Sequence, residues 1–199
     1  MKKILITCFE PFGGEDTNSS MTVTEKVSSP ENWEMKRLIL PVVFSQAFMK
    51  VMEEAGRFRP DVILLTGQAG SRSYVSVEAM ARNIRNASIP DNSGYMPVNE
   101  KIAVNGQEAW ATDVDAEAVV DEIRKKGVSV RLSTDAGSFV CNDVYYNVLR
   151  YLRSTGAAII FIHLPYVYDE ELHPSGTEED RLTAALMSVI NYLTSEVTV

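Results

Sequence analysis

The sequence predicts an α/β fold: a single three-layer α/β/α sandwich over residues 1–199 whose central sheet is largely parallel, or mixed. Three observations predict it. Apolar runs of strand length alternate with segments of helical period, the pattern of helices laid over a sheet. The run Ala157–Ile162 is apolar throughout, as a strand covered on both faces must be. And 199 residues with no internal repeat, low-complexity tract or linker suit one large domain.

Taken in order, Lys3–Cys8 reads as a buried first strand, ended by Pro11 and the Gly13-Gly14 pair. Leu38–Val43 is a second strand. Ala47, Phe48, Val51, Met52 and Ala55 recur at three- and four-residue steps, a helix with one buried face that Pro60 closes. Val62–Leu65 follows as a strand with Gly67 and Gly70 at its end. The stretch from Ser71 to Gln107 holds Pro90, Pro97 and several Asn, and reads as a hairpin or long loops. Ala116, Val119, Val120 and Ile123 share one helical face, with Gly127 as the stop. Val128–Leu132 is a short strand. Val140, Val144, Val148 and Leu152 make a helix that ends near Gly156, before the Ala157–Ile162 strand. Leu182, Ala185, Leu186, Val189, Ile190 and Leu193 make a C-terminal amphipathic helix.

Composition narrows the function. There are 27 acidic against 19 basic residues, a net charge of −8, and the pI is near 4.9. That balance argues against a nucleic-acid partner or an anionic membrane surface, both of which favour a basic face. No apolar run approaches the ~20 residues that span a bilayer. The opening Met1–Ile6 imitates a signal peptide, but Glu10 and Pro11 interrupt it, so a core strand in a cytoplasmic protein is the expectation. Two cysteines, Cys8 and Cys141, are not a disulfide framework and read as free thiols.

In open α/β sheets, sites form beyond the carboxyl ends of strands. Three such ends are unusual here. Thr7–Gly14 is an aromatic, glycine-bearing loop; without a dinucleotide fingerprint or a P-loop Lys, Phe9 and Phe12 read as pocket walls or as core. Gly137–Asn142 joins a strand to a helix and sets Cys141 in the first turn. There the macrodipole lowers a thiol pKa, unless Asp135 and Asp143 oppose it. Taken alone, Cys141 reads more readily as a buried structural cysteine. His163 ends the most apolar strand, either as a satisfied core histidine or as a base. The other histidine, His173, lies in an acidic loop. A Cys–His pair at neighbouring strand ends is what a thiol hydrolase needs, with an acid or amide to orient the imidazole. Spacing does not choose that third group. With no His-x-x-x-His pair and no Gly-x-Ser-x-Gly elbow, neither a metal site nor a serine triad is indicated, and no cofactor is implied.

Six segments in order carry a resemblance: Thr7–Gly14, Gly67–Arg72, Glu78–Asn83, Ile89–Asn92, Ala136–Asn142 and Phe161–Tyr166. Over nearly its whole length the chain resembles the pyrrolidone carboxyl peptidases (pyroglutamyl peptidases I), a family of cysteine peptidases. The resemblance implies a Cys141–His163–Glu78 triad, a homotetramer, and hydrolysis of peptides after an N-terminal pyroglutamate. It also implies that Phe9, Phe12 and Phe139 contact the lactam ring and that Gln68 and the Asn18 region supply polar contacts. Three positions depart from the family pattern: Cys8 for Gly, Ala79 for Arg, and Ser88 for an Arg near the scissile carbonyl. The last removes part of the oxyanion stabilisation unless Arg72, Arg82 or Arg85 compensates. The alternatives are a catalytically weakened homologue that binds pyroglutamyl or lactam groups, and an unrelated phosphate-binding protein using the Gly13-Gly14 loop.

Overall fold

The structure, a computed structural model, describes residues 1–197. Its centre is a six-stranded sheet built from β1 (Lys2–Phe9), β2 (Trp33–Leu40), β3 (Val62–Gln68), β4 (Val75–Glu78), β7 (Val130–Ser133) and β8 (Ala158–Leu164). The spatial order is β2-β1-β3-β8-β4-β7. The first four strands run parallel; β4 is antiparallel to β8 and parallel to β7, so the sheet is mixed. A separate two-stranded antiparallel sheet, hairpin-like but joined by the long 83–108 segment, pairs β5 (Met80–Arg82) with β6 (Ala109–Ala111).

Both faces are covered. α1 (Ser19–Lys26), α3 (Ala116–Arg124) and α5 (Glu179–Glu196) bury Val23, Val119, Ile123, Leu186 and Val189 against Ile4, Ile6, Leu64 and Ile162. On the other face, α2 (Gln46–Phe58) and α4 (Val140–Leu152) bury Val51, Val144, Tyr145 and Val148 against Leu5, Leu65 and Phe161. The alternation of side chains along β8 divides Ile160 and Ile162 from Phe161 and His163, and so sets which face carries the chemistry.

The elements differ from the sequence expectation in four places. The second strand starts earlier, at Trp33, because this edge strand alternates exposed charge with partly buried apolar residues rather than forming an apolar run. It stops at Leu40 because Pro41 has no N–H and the next donor, Val42 N–H, turns to Glu10 Oε1 at 3.1 Å. β7 is shifted to Val130–Ser133. Helix α1 was not foreseen: its sequence, SSMTVTEK, is mostly polar, and the cap is Asn18, whose side chain accepts from Ser20 N–H. The irregular stretch after Ser71 contributes β4 to the main sheet and β5 to the two-stranded sheet. Among the described residues no helix is long and apolar enough to cross a membrane.

Candidate active site

The C-terminal ends of β1, β3 and β8 meet the start of α4 around one cavity of about 320 Å³. Cys141 is the second residue of α4, whose N-cap, Phe139, supplies no side-chain acceptor, so the first-turn N–H groups lack a capping side chain. A Cβ built on Gly67 would stand 2.8 Å from Cys141 Sγ and 2.9 Å from Phe161 Cζ. The bare glycine is what lets the sulfur approach the sheet. Gly67 is also the register partner of His163, so the sulfur lies over the strand next to the histidine's.

Burial pushes the Cys141 thiol up to about 12, and the Glu78 carboxylate adds to the rise. Helix position alone predicts the opposite direction. In this site the loss of water outweighs the donors of α4, which favours the neutral thiol. Asp135 and Asp143 do not act as the sequence allowed, since Arg82 and Arg85 pair with them at 3.0 and 2.6 Å.

His163 is buried, its ring 4.6 Å from that of Phe161, and it lines the cavity together with Cys141. Its Nδ1 is 2.8 Å from Glu78 Oε1. A carboxylate can only accept, so Nδ1 carries the hydrogen and Nε2 is the basic nitrogen. Glu78 sits on the same sheet face through the antiparallel pairing of Ser76 with His163 and of Glu78 with Phe161. It is fully buried. Burial pushes its carboxyl up, but the His163 ring, the Ser133 hydroxyl and the Arg72 guanidinium together hold it below its ordinary value. The orienting acid that spacing left open is thus brought to the imidazole by β4, an element with no strong sequence signal.

The residues named for binding line the cavity: Phe9, Phe12, Phe139, Gln68 and Asn18. The Phe12 and Phe139 rings are 6.0 Å apart, and Phe44 backs Phe139 edge-on at 5.3 Å. Gln68 Oε1 accepts from Ser19 N–H (2.7 Å) and Ser19 Oγ (3.0 Å), which leaves its NH2 group as the donor it can offer. Asn18 is more committed. Its Oδ1 accepts from Ser20 and its Nδ2 donates to the Glu10 carbonyl, so what it lends the cavity is chiefly the position of its backbone.

Sequence reasoning missed the residues that anchor this constellation. Asn142 accepts from Arg82 N–H and donates to the Arg82 and Ile84 carbonyls at 2.8–2.9 Å, tying the first turn of α4 to the segment before the cavity wall. Ser138 Oγ donates to the Asn86 carbonyl at 2.7 Å, and Asn86 N–H returns a bond to Ser138. Asn142 and Ser138 flank Cys141 in the Gly137–Asn142 segment, which was the only available signal. Ser88 lines the cavity, and the three arginines that could compensate for it, Arg72, Arg82 and Arg85, are bonded to Glu78, Asp135 and Asp143. His173 belongs elsewhere, stacked 3.7 Å from Tyr166 and 3.6 Å from Glu15. Among the described residues no group of three His, Cys, Asp or Glu side chains is arranged to hold a metal ion.

A family model described as "Pyroglutamyl peptidase" matches residues 2–190. The chain belongs to that family. It is 38% identical over 194 residues to the pyrrolidone-carboxylate peptidase of Fusobacterium nucleatum, covering 95% of this chain and 90% of that protein. The crystal structure of Bacillus amyloliquefaciens pyroglutamyl peptidase I superposes with a TM-score of 0.90 at 32% identity, covering 99% of this chain and 98% of that one. A mutant pyrrolidone carboxyl peptidase from the hyperthermophile Pyrococcus furiosus gives 0.91 at 26% identity, covering 98% and 99%. The chain shares its α/β architecture with these two solved peptidases.

Proposed function

We propose that this chain hydrolyses the bond that follows an N-terminal pyroglutamyl residue of a peptide, with Cys141 as nucleophile, His163 as general base and acid, and Glu78 as the orienting carboxylate. The observation that carries the reading is the 2.8 Å contact between His163 Nδ1 and Glu78 Oε1, set behind a cavity that His163 shares with Cys141. As the sulfur bonds to the scissile carbonyl carbon, His163 Nε2 takes the thiol proton. The carbonyl oxygen becomes an anion facing the uncapped first turn of α4, whose N–H groups and dipole stabilise it. The carbon–nitrogen bond then breaks, and the imidazolium gives its proton to the departing amine, leaving a thioester. Water next yields a proton to His163 while its oxygen bonds to the acyl carbon. The carbon–sulfur bond breaks, the sulfur regains the proton, and free pyroglutamate leaves.

The cavity's composition supports the substrate class. Among the described residues, no Asp, Glu, Lys or Arg side chain lines it. A pyroglutamyl end is a flat lactam with no ammonium, so Phe9, Phe12 and Phe139 can flank the ring while Gln68 donates to its carbonyl. An ordinary amino terminus would leave its ammonium desolvated and unpaired there. The lack of a cation beside Ser88 favours one second reading, a lactam-binding homologue with weak turnover. The family reading also carries a cytoplasmic location, with which two unbridged cysteines agree, and a homotetramer, which sedimentation tests. Fluorogenic pyroglutamyl, glutamyl and prolyl amides separate the readings: release from the first alone is expected. Calorimetric binding of pyroglutamate with no release from any of them establishes the second.

A further inference from the structure

Glu78 Oε1 accepts two bonds, not one. Besides His163 Nδ1 at 2.8 Å, Arg72 Nη1 stands 2.6 Å away, and Arg72 Nη2 donates to the Asp135 carbonyl at 3.1 Å. The guanidinium is therefore gripped at both ends of its fork. The other carboxylate oxygen, Oε2, accepts no hydrogen bond of ordinary geometry; the Ser133 hydroxyl that faces the carboxylate from β7 also donates to the Asp135 carbonyl, at 3.2 Å. A fully buried carboxylate facing only an imidazole N–H lacks the compensation that burying a charge requires. Among the described residues Arg72 is the side-chain cation bonded to it.

Arg72 also ends the turn after β3, closed by Arg72 N–H to the Ala69 carbonyl at 2.9 Å. The residues of that turn, Ala69, Gly70 and Ser71, line the cavity. One side chain thus joins the substrate-facing turn to the base's partner. We infer that Arg72 is a positioning residue: it keeps Glu78 ionised and its Oε1 aimed at His163, and it couples the 69–71 turn to that geometry. The inference rests on the triad reading above. Its alternative is an ordinary ion pair that merely secures the turn.

The groups facing Glu78 are His163 from β8, Ser133 from β7, Cys141 from α4 and Arg72 from the turn, while the Tyr145 hydroxyl bonds its backbone carbonyl. Without Arg72, burial stands less opposed, so Glu78 takes up a proton at higher pH and the ionised, active form is lost earlier as pH falls. The test is kcat and KM on a fluorogenic pyroglutamyl amide across the acid range for wild type, Arg72→Met, Arg72→Lys and Arg72→Met in a Glu78→Gln background. Arg72→Met is expected to lower kcat about ten- to a hundredfold, as loss of an outer-shell partner does. KM should change little, and the acid limb of kcat should move to higher pH. Arg72→Lys should recover part of the loss, and in the Glu78→Gln background the substitution should add almost nothing. A wild-type kcat and acid limb in Arg72→Met, a loss confined to KM, or an undiminished loss in the Glu78→Gln background overturns the inference. Should Arg72→Met fail to fold by circular dichroism, the acid limb of Arg72→Lys decides by the same shift. A wild type that releases no fluorophore sinks the triad reading instead.

Discussion

The wall of the cavity that carries His163, with Glu78 behind it, is sheet, the two side chains 5% and 0% exposed, whereas the wall that carries Phe12 and Ile89 is loop. In the first, position is set by strand register, by the Phe161 ring beneath the imidazole and by the Arg72–Glu78 pair. In the second, a few polar ties hold the segments. Asn92 Nδ2 donates to Glu10 Oε1 and to the Pro11 carbonyl, and Tyr166, stacked on His173, bonds Glu15. The difference teaches a division of labour. Under the proposed triad, proton transfer tolerates little displacement and is built on the core, while the Phe12 side of the ring pocket supplies area and shape, which a loop can do. Changes to the first wall should therefore act on kcat, and changes to the second on KM.

The hardest blow to that contrast comes from His163→Ala, with turnover expected to fall about 10⁴-fold or more. The same variant reports on the sulfur. Wild type should be alkylated by iodoacetamide at neutral pH with the imidazole as base, whereas in His163→Ala the rate should stay low at neutral pH and climb only in alkali, because burial holds the thiol up. Equal neutral rates in both proteins contradict a thiol that depends on its neighbour.

Next in size is Glu78→Gln, expected to cost about 10³-fold in kcat through loss of the charge and the tautomer it enforces. Its stability carries a sign. Because the folded carboxyl lies below its ordinary value, ionised Glu78 stabilises the fold above that ordinary value, and the contribution is lost as pH falls through the lowered one. Urea unfolding should therefore put wild type furthest ahead of the variant near neutrality, with the gap closing in acid. A gap that widens in acid reverses the assignment.

On the loop wall the effects shrink. Phe12→Ala should raise KM about tenfold through lost apolar contact, leaving kcat and the urea midpoint nearly unchanged. A fall in kcat with KM intact would erase the distinction between the walls. The smallest expected change is a gain. Ser88→Arg should raise kcat several-fold by adding a cation near the scissile carbonyl, while no effect assigns oxyanion binding to the α4 N–H groups alone.

How far this was legible beforehand follows the same division. Lys2–Phe9, Val62–Gln68 and Ala158–Leu164 are apolar strands whose ends could be read directly, and His163 and Phe12 were found at such ends, while Cys141 was found at the start of a helix. Glu78 ends a four-residue strand, Val75–Glu78, that alternates valine with polar residues and carries no run of its own; only the family resemblance singled it out. Arg72, Asn142 and Gly67 fell inside segments the sequence singled out, but their roles were not legible because each acts through a long-range contact: an ion pair, a clamp on residues 82–84, and space left for a sulfur. The thiol's direction was misjudged for a related reason. Helix position is written in the sequence, but the burial that outweighs it is written only in the packing.

The most direct measurement is release of fluorophore from a pyroglutamyl amide by wild type and by Cys141→Ser, both confirmed folded. The account predicts turnover by the first and a loss of about 10⁴-fold or more in the second. Comparable rates in the two proteins would contradict it.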